Sequence, residues 1–170
     1  MYYFEILSEF YHSEIRYLIV GGLAMNLHGV PRVTQDIDII IATDSMNIHK
    51  TTSVLKSLDY VPRIPGLNPD HLADESKRRA WIEEKNMIAF SFYKKSGSYE
   101  VVDIIIMHPL DFEEAYKNRT IKKAKGIEFA LAGINDLIKM KQISARSQDI
   151  SDVQILKKLS NILNENDAKG

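Results

Sequence analysis

At 170 residues, with 45% hydrophobic and 26% charged side chains, the chain has the size and balance of one globular domain over residues 1–170. A net charge of −1 excludes a global basic field for long nucleic acid, and the lack of cysteine excludes disulfides and thiolate metal sites. No apolar run reaches membrane-spanning length, and MYYFEILSEF lacks the basic start and apolar core of a secretory signal, so the expectation is cytoplasmic residence and no membrane partner.

In chain order, residues 2–15 read as a helix, with Phe4, Leu7, Phe10 and Tyr11 along one face. YLIV at 17–20 is a short buried strand, and a short helix over 22–28 follows two glycines. Residues 36–42 form a second strand. Asp44 or Ser45 caps a helix to about Leu58, whose inner stripe is Ile48, Val54, Leu55 and Leu58. Pro62, Pro65, Gly66 and Pro69 break the chain into a loop before a helix over about 70–84. Strands near 87–94 and 99–107 follow, joined by a turn at Lys95-Ser96-Gly97-Ser98. Pro109 suits a helix start, and LDFEEAYKN continues it. Short strands near 119–123 and 127–131 turn at Gly126, and two helices, 133–145 and 149–164, close the chain. In the last helix Ile150, Val153, Leu156, Leu159 and Leu163 mark one apolar face.

The stretch YLIVGGLAMNLHGVPRVTQDIDIII holds the candidate chemistry. Side chains at i and i+2 of a strand share a face, so Asp36 and Asp38 project together while Ile37, Ile39 and Ile41 point the other way. Adjacent carboxylates repel unless a cation lies between them, and magnesium favours carboxylate oxygens together with substrate phosphates. Gly21 and Gly22 remove side chains where a phosphate would approach backbone N–H groups. Each feature alone is weak, since Asp-x-Asp pairs decorate strand ends and Gly-Gly often only turns the chain. Their joint spacing gives them weight.

Gly-Gly followed by Arg-x-Thr-x-Asp-x-Asp resembles the nucleotidyltransferase superfamily typified by DNA polymerase β, within it most the small bacterial branch related to abortive-infection type IV toxins. YEVVDIIIM supplies Asp103 where that superfamily carries a third carboxylate, and NDLIKMKQISARSQDISDVQIL is similar to its later helical segment. The resemblance spans residues 17–41 and 99–160. It implies an α/β (α+β) nucleotidyltransferase fold: a small mixed sheet with packed helices and a C-terminal helical pair at about 133–164.

It further implies that Asp36, Asp38 and Asp103 are catalytic and hold two magnesium ions, with manganese as a substitute. Gly21, Gly22, Lys141 and Arg146 would bind nucleotide or phosphate, as would Arg32 and Thr34, for which holding the loop is at least as good a reading, while Lys139 faces elsewhere. Asp149 and Asp152 are as well explained by a helix cap and an ion pair. His28 reads as a packed, loop-stabilising residue. Trp81, Tyr93 and Tyr99 could stack on bases, though core or hairpin packing suits them better. The lysine and arginine clusters at 77–79 and 122–125 read as solvated faces.

The implied activity is transfer of a nucleoside monophosphate from a nucleoside triphosphate to an acceptor hydroxyl on tRNA, protein or a small molecule. A toxin with a partner antitoxin fits the resemblance. An antibiotic-adenylylating enzyme and a non-catalytic nucleotide- or partner-binding module on the same fold are the alternatives.

Overall fold

The computed structural model describes residues 2–97, 99–144 and 147–167. Its strands are β1 Tyr17–Ile19, β2 Ile37–Ile41, β3 Tyr60–Pro62, β4 Ala89–Lys94, β5 Val101–Ile105, β6 Thr120–Ala124 and β7 Ile127–Leu131. They form one mixed sheet in the order β3-β4-β5-β2-β1-β7-β6. The most apolar segments take the middle. Leu18, Ile19, Ile37, Ile39 and Ile40 are fully buried, as expected for strands covered on both faces. β1 runs antiparallel to β2, whereas β2–β5 and β1–β7 are parallel pairs. Parallel neighbours need long crossovers, and residues 42–100 supply the one between β2 and β5.

The helices are α1 Tyr2–His12, α2 Gly21–Leu27, α3 Ser45–Ser57, α4 Glu75–Lys85, α5 Phe112–Lys117, α6 Ile134–Ser144 and α7 Ser147–Asp167. Aspartates start three of them. Asp44, Asp74 and Asp111 each accept a hydrogen bond from a backbone N–H three residues on, satisfying a donor that the first turn leaves free. Among the described residues, no helix is long and apolar enough to cross a membrane.

Several expected elements shift. The helix over 70–84 divides into a 3-10 turn, Pro69–Ala73, and α4, because Asp74 ends the first and caps the second. Pro109 does not begin a helix; α5 starts after Asp111. β3 lies where a loop was expected. Among the described residues it is an edge strand paired with β4 alone, so Pro62 can lack an N–H on its open side. The inner face of α7 is also rotated. Ile150 is 59% exposed, while Asp149, Asp152 and Leu156 are buried. Trp81 is buried against Phe90, with ring centroids 5.6 Å apart, and offers no stacking surface; Tyr99 is 95% exposed.

Candidate active site

Pairing of β2 with β5 puts Asp38 directly beside Asp103. Registered residues on neighbouring strands share a sheet face, so the two carboxylates project together. One oxygen of Asp103, Oδ1, is buried and has no hydrogen-bond partner among the described residues. An acceptor shut away from water and left unpaired costs free energy, so this atom suits a cation or a donated proton.

Gly21 makes the crowding possible. Its φ is +63°, a left-handed value, and a Cβ there would lie 2.0 Å from Asp38 Oδ2. At Gly22 a Cβ would meet the Thr34 side chain at 2.9 Å. The two glycines thus let Asp38 and the segment before β2 close onto the start of α2.

That segment is held from several sides. Asn26 on α2 donates to the Arg32 carbonyl at 2.7 Å and accepts from the Arg32 N–H at 2.5 Å. Thr34 Oγ1 donates to the Asp36 carbonyl at 3.2 Å. Asp36, expected inside the strand, lies one residue before β2, so strand alternation does not fix its direction. Its carboxyl is raised above the ordinary carboxylate value by desolvation and then by the charge of Asp103, with Arg63 opposing. Arg63 could not be linked to the site from sequence; it follows β3, the unexpected strand, and its N–H donates to Ser91.

A cavity of about 510 Å³ gathers Gly21, Gly22, Arg32, Thr34, Asp36, Asp38, Asp103, Lys141 and Asp149. Lys141 Nζ lies 2.9 Å from Asp149 Oδ1 and 2.6 Å from Asp152 Oδ2. Arg32 Nη1 reaches the other oxygen of Asp152 at 2.8 Å, and Ser144 Oγ donates to Asp149 at 2.5 Å. Two cations and two carboxylates therefore balance in a nearly dry network. Lys139 turns away: its side chain is 60% exposed and pairs with Asp136 at 3.1 Å. His28 Nε2 lies 2.9 Å from the Ala132 carbonyl, and burial lowers its pKa, as for a packed neutral imidazole. Arg146 lies outside the described residues.

Among the described residues, no group of three histidine, cysteine or acidic side chains is assembled to hold a metal ion. The donor chemistry fits magnesium, as hard carboxylate oxygens with one unpaired acceptor, but only Asp38 and Asp103 are placed side by side by strand register.

The profile of a family described as nucleotidyltransferase of unknown function (DUF6036) matches residues 4–166. The chain belongs to that family. Similar solved structures include a lincosamide antibiotic adenylyltransferase, LnuA, bound to lincomycin, at 16% identity and TM-score 0.58 over 92% of this chain and 95% of that one. ANT(2")-Ia in complex with adenylyl-2"-tobramycin matches at 12% identity and TM-score 0.52, over 99% and 96%. An antigenic nucleotidyltransferase-like protein from Paracoccidioides brasiliensis matches at 20% identity and TM-score 0.53, over 91% and 72%. No curated protein matches the chain in sequence. The chain is a nucleotidyltransferase with the fold of these enzymes.

Proposed function

We propose that this nucleotidyltransferase uses divalent metal to move a nucleoside monophosphate from a nucleoside triphosphate to an acceptor hydroxyl, with Asp36, Asp38 and Asp103 as its catalytic carboxylates. The observation that carries this reading is the registered Asp38–Asp103 pair packed against a side-chain-free Gly21.

Asp38 and Asp103 would hold magnesium or manganese, with Asp36 joining from the segment before β2. Two such ions, when bound, neutralise the triphosphate and lower the pKa of the attacking hydroxyl. The Asp103 carboxylate takes the hydroxyl proton as the acceptor oxygen bonds to the α-phosphorus and the bond to pyrophosphate breaks. Gly21 and Gly22 let Asp38 and Thr34 pack against the start of α2, beside which the phosphate oxygens would bind. Arg32 and Lys141 line the same cavity as compensated cations, and Thr34 holds the Asp36 backbone. Arg146 would add a phosphate contact. Most of the catalytic effect then comes from positioning and charge neutralisation.

For the acceptor, the solved structures favour a small molecule. Two antibiotic adenylyltransferases share the fold over nearly their whole length, so an acceptor of that size needs no further lobe. tRNA or protein acceptors, and a toxin role with an antitoxin, rest on the abortive-infection resemblance.

Transfer of a labelled nucleoside monophosphate to candidate acceptors, by wild type and by Asp38→Asn and Asp103→Asn, tests the reading. Both changes should abolish transfer while leaving the melting temperature equal or slightly raised, because like-charge crowding is relieved. Transfer that survives both would remove the carboxylates from the mechanism.

A further inference from the structure

A second cavity, of about 130 Å³, adjoins the first and shares Gly21, Asp38, Lys141 and Asp149 with it. Its remaining walls are chiefly apolar: Ile88, Ile105, Met107, Leu137 and Met140. Two features set it apart from ordinary core. Ile88 and Met107 are 60% and 45% exposed, so large apolar side chains line an open lip. β5 also leads straight into it, since Ile105 follows Asp103 by two residues and shares its face.

The polar side chains at the slot, Asp38, Lys141, Ser144 and Asp149, are on the border with the carboxylate cavity or tied into its ion network. One backbone acceptor at the lip is engaged as well. The Ile88 carbonyl accepts from both Ile106 and Met107 N–H groups, at 2.9 and 3.1 Å. Among the described residues, the slot thus presents apolar surface and little to read the edge of a ring.

One molecule spanning both cavities needs an anionic end and a weakly polar end. A nucleoside triphosphate is such a molecule. We propose that the slot between β5 and α6 seats the base of the nucleotide and holds it by shape, so that the enzyme favours purines by size without distinguishing adenine from guanine. This rests on the triphosphate occupying the carboxylate cavity as proposed above.

The test is calorimetric titration of wild type, with magnesium and no acceptor, using tripolyphosphate, ATP, GTP, CTP and UTP. Tripolyphosphate carries at least as much negative charge as the nucleotides, so any gain of ATP over it comes from the nucleoside. ATP and GTP should bind about tenfold or more tighter than tripolyphosphate, the gain expected from burying roughly 50–60 Å² of a base's apolar surface. They should differ from each other by less than about threefold, with CTP and UTP weaker than both. Met107→Trp, which fills the lip, and Ile88→Ser, which removes its apolar wall without adding charge, should each remove most of the ATP gain and leave tripolyphosphate affinity unchanged. Both positions are exposed enough to tolerate change, and thermal melts check that the variants fold.

An ATP gain that survives both variants overturns the proposal by placing the base elsewhere. So does a large preference between ATP and GTP in wild type, a result that needs no variant. Equal binding of ATP and tripolyphosphate also overturns it, while leaving the phosphate site standing and the slot to the acceptor. Failure of every probe to bind overturns the slot and the phosphate site together.

Discussion

Gly21 and Gly29 both have left-handed backbone, with φ of +63° and +95°, yet their surroundings differ completely. No described residue lies within 4 Å of a Cβ at Gly29, so Gly29→Ala should cost only backbone strain, about 1–2 kcal/mol. Gly21→Ala adds a clash with the Asp38 carboxylate, and should lose more stability than Gly29→Ala and all measurable transfer. Denaturant melts and the transfer assay on the two variants check this; equal losses would separate Gly21 from the carboxylate site. Lys141 and Lys139 make a second pair. Removing Lys141 leaves Asp149 and Asp152 buried with one cation fewer, so Lys141→Ala should cost about 3–5 kcal/mol of stability, the range for a broken buried ion pair. Lys139→Ala, at an exposed pair, should stay within about 0.5 kcal/mol. Nucleotide titration of folded Lys141→Met then reads any phosphate role apart from the structural one. The divergence of these lysines follows from helix geometry and is legible in sequence. The partners of Lys141 are not, because Asp152 becomes its neighbour only once α7 folds back on α6.

At the scale of elements, apolar runs and aspartate caps told most of the story. YLIV, IDIII and VVDII could be read as strands, and Asp44 as a cap of α3, because those signals are local. Two elements resisted. β3 exists because β4 offers an edge, and its Pro62 reads locally as a breaker. The inner face of α7 includes Asp149 and Asp152, which a hydrophobic period must miss, since Arg32 and Lys141 decide their burial. His28 and His108 also take their character from packing. Burial lowers both pKa values from 6.5, with Lys122 and Arg78 respectively adding to the shift and backbone hydrogen bonds opposing it. Well above pH 6.5 both are neutral in folded and unfolded chains, so they add no pH dependence there. As pH falls through 6.5, the unfolded chain binds protons first, and stability must fall with pH. The melting temperature should therefore drop between pH 7.5 and 5.5, and His28→Gln with His108→Gln should flatten that drop. An undiminished drop in the double variant would assign it to other groups.

Across the whole molecule, the ion network joins parts distant in sequence. Arg32 precedes β2, Lys141 is on α6, and Asp149 and Asp152 are on α7, so the C-terminal helices are fastened to the segment carrying Asp36. Asp152 is the shared anchor, 2% exposed and paired with both cations. The carboxylate cavity lies inside this fastening, and a ligand that binds there binds only the folded chain. Magnesium and ATP together, at about a hundred times the dissociation constant, should stabilise the fold by about 2.7 kcal/mol. For a chain of this length that is a rise in melting temperature of roughly 5–10 °C. ATP without magnesium should give little of it, because the triphosphate then meets Asp38 and Asp103 unscreened. Asp152→Asn should lower the melting temperature of the free protein and, by loosening Arg32 and Lys141 together, shrink the rise with magnesium and ATP. Melts in all four combinations of metal and nucleotide decide it. A full rise in Asp152→Asn would show that the fastening supports the fold without shaping the site, and an equal rise without magnesium would argue against a metal between the carboxylates and the triphosphate.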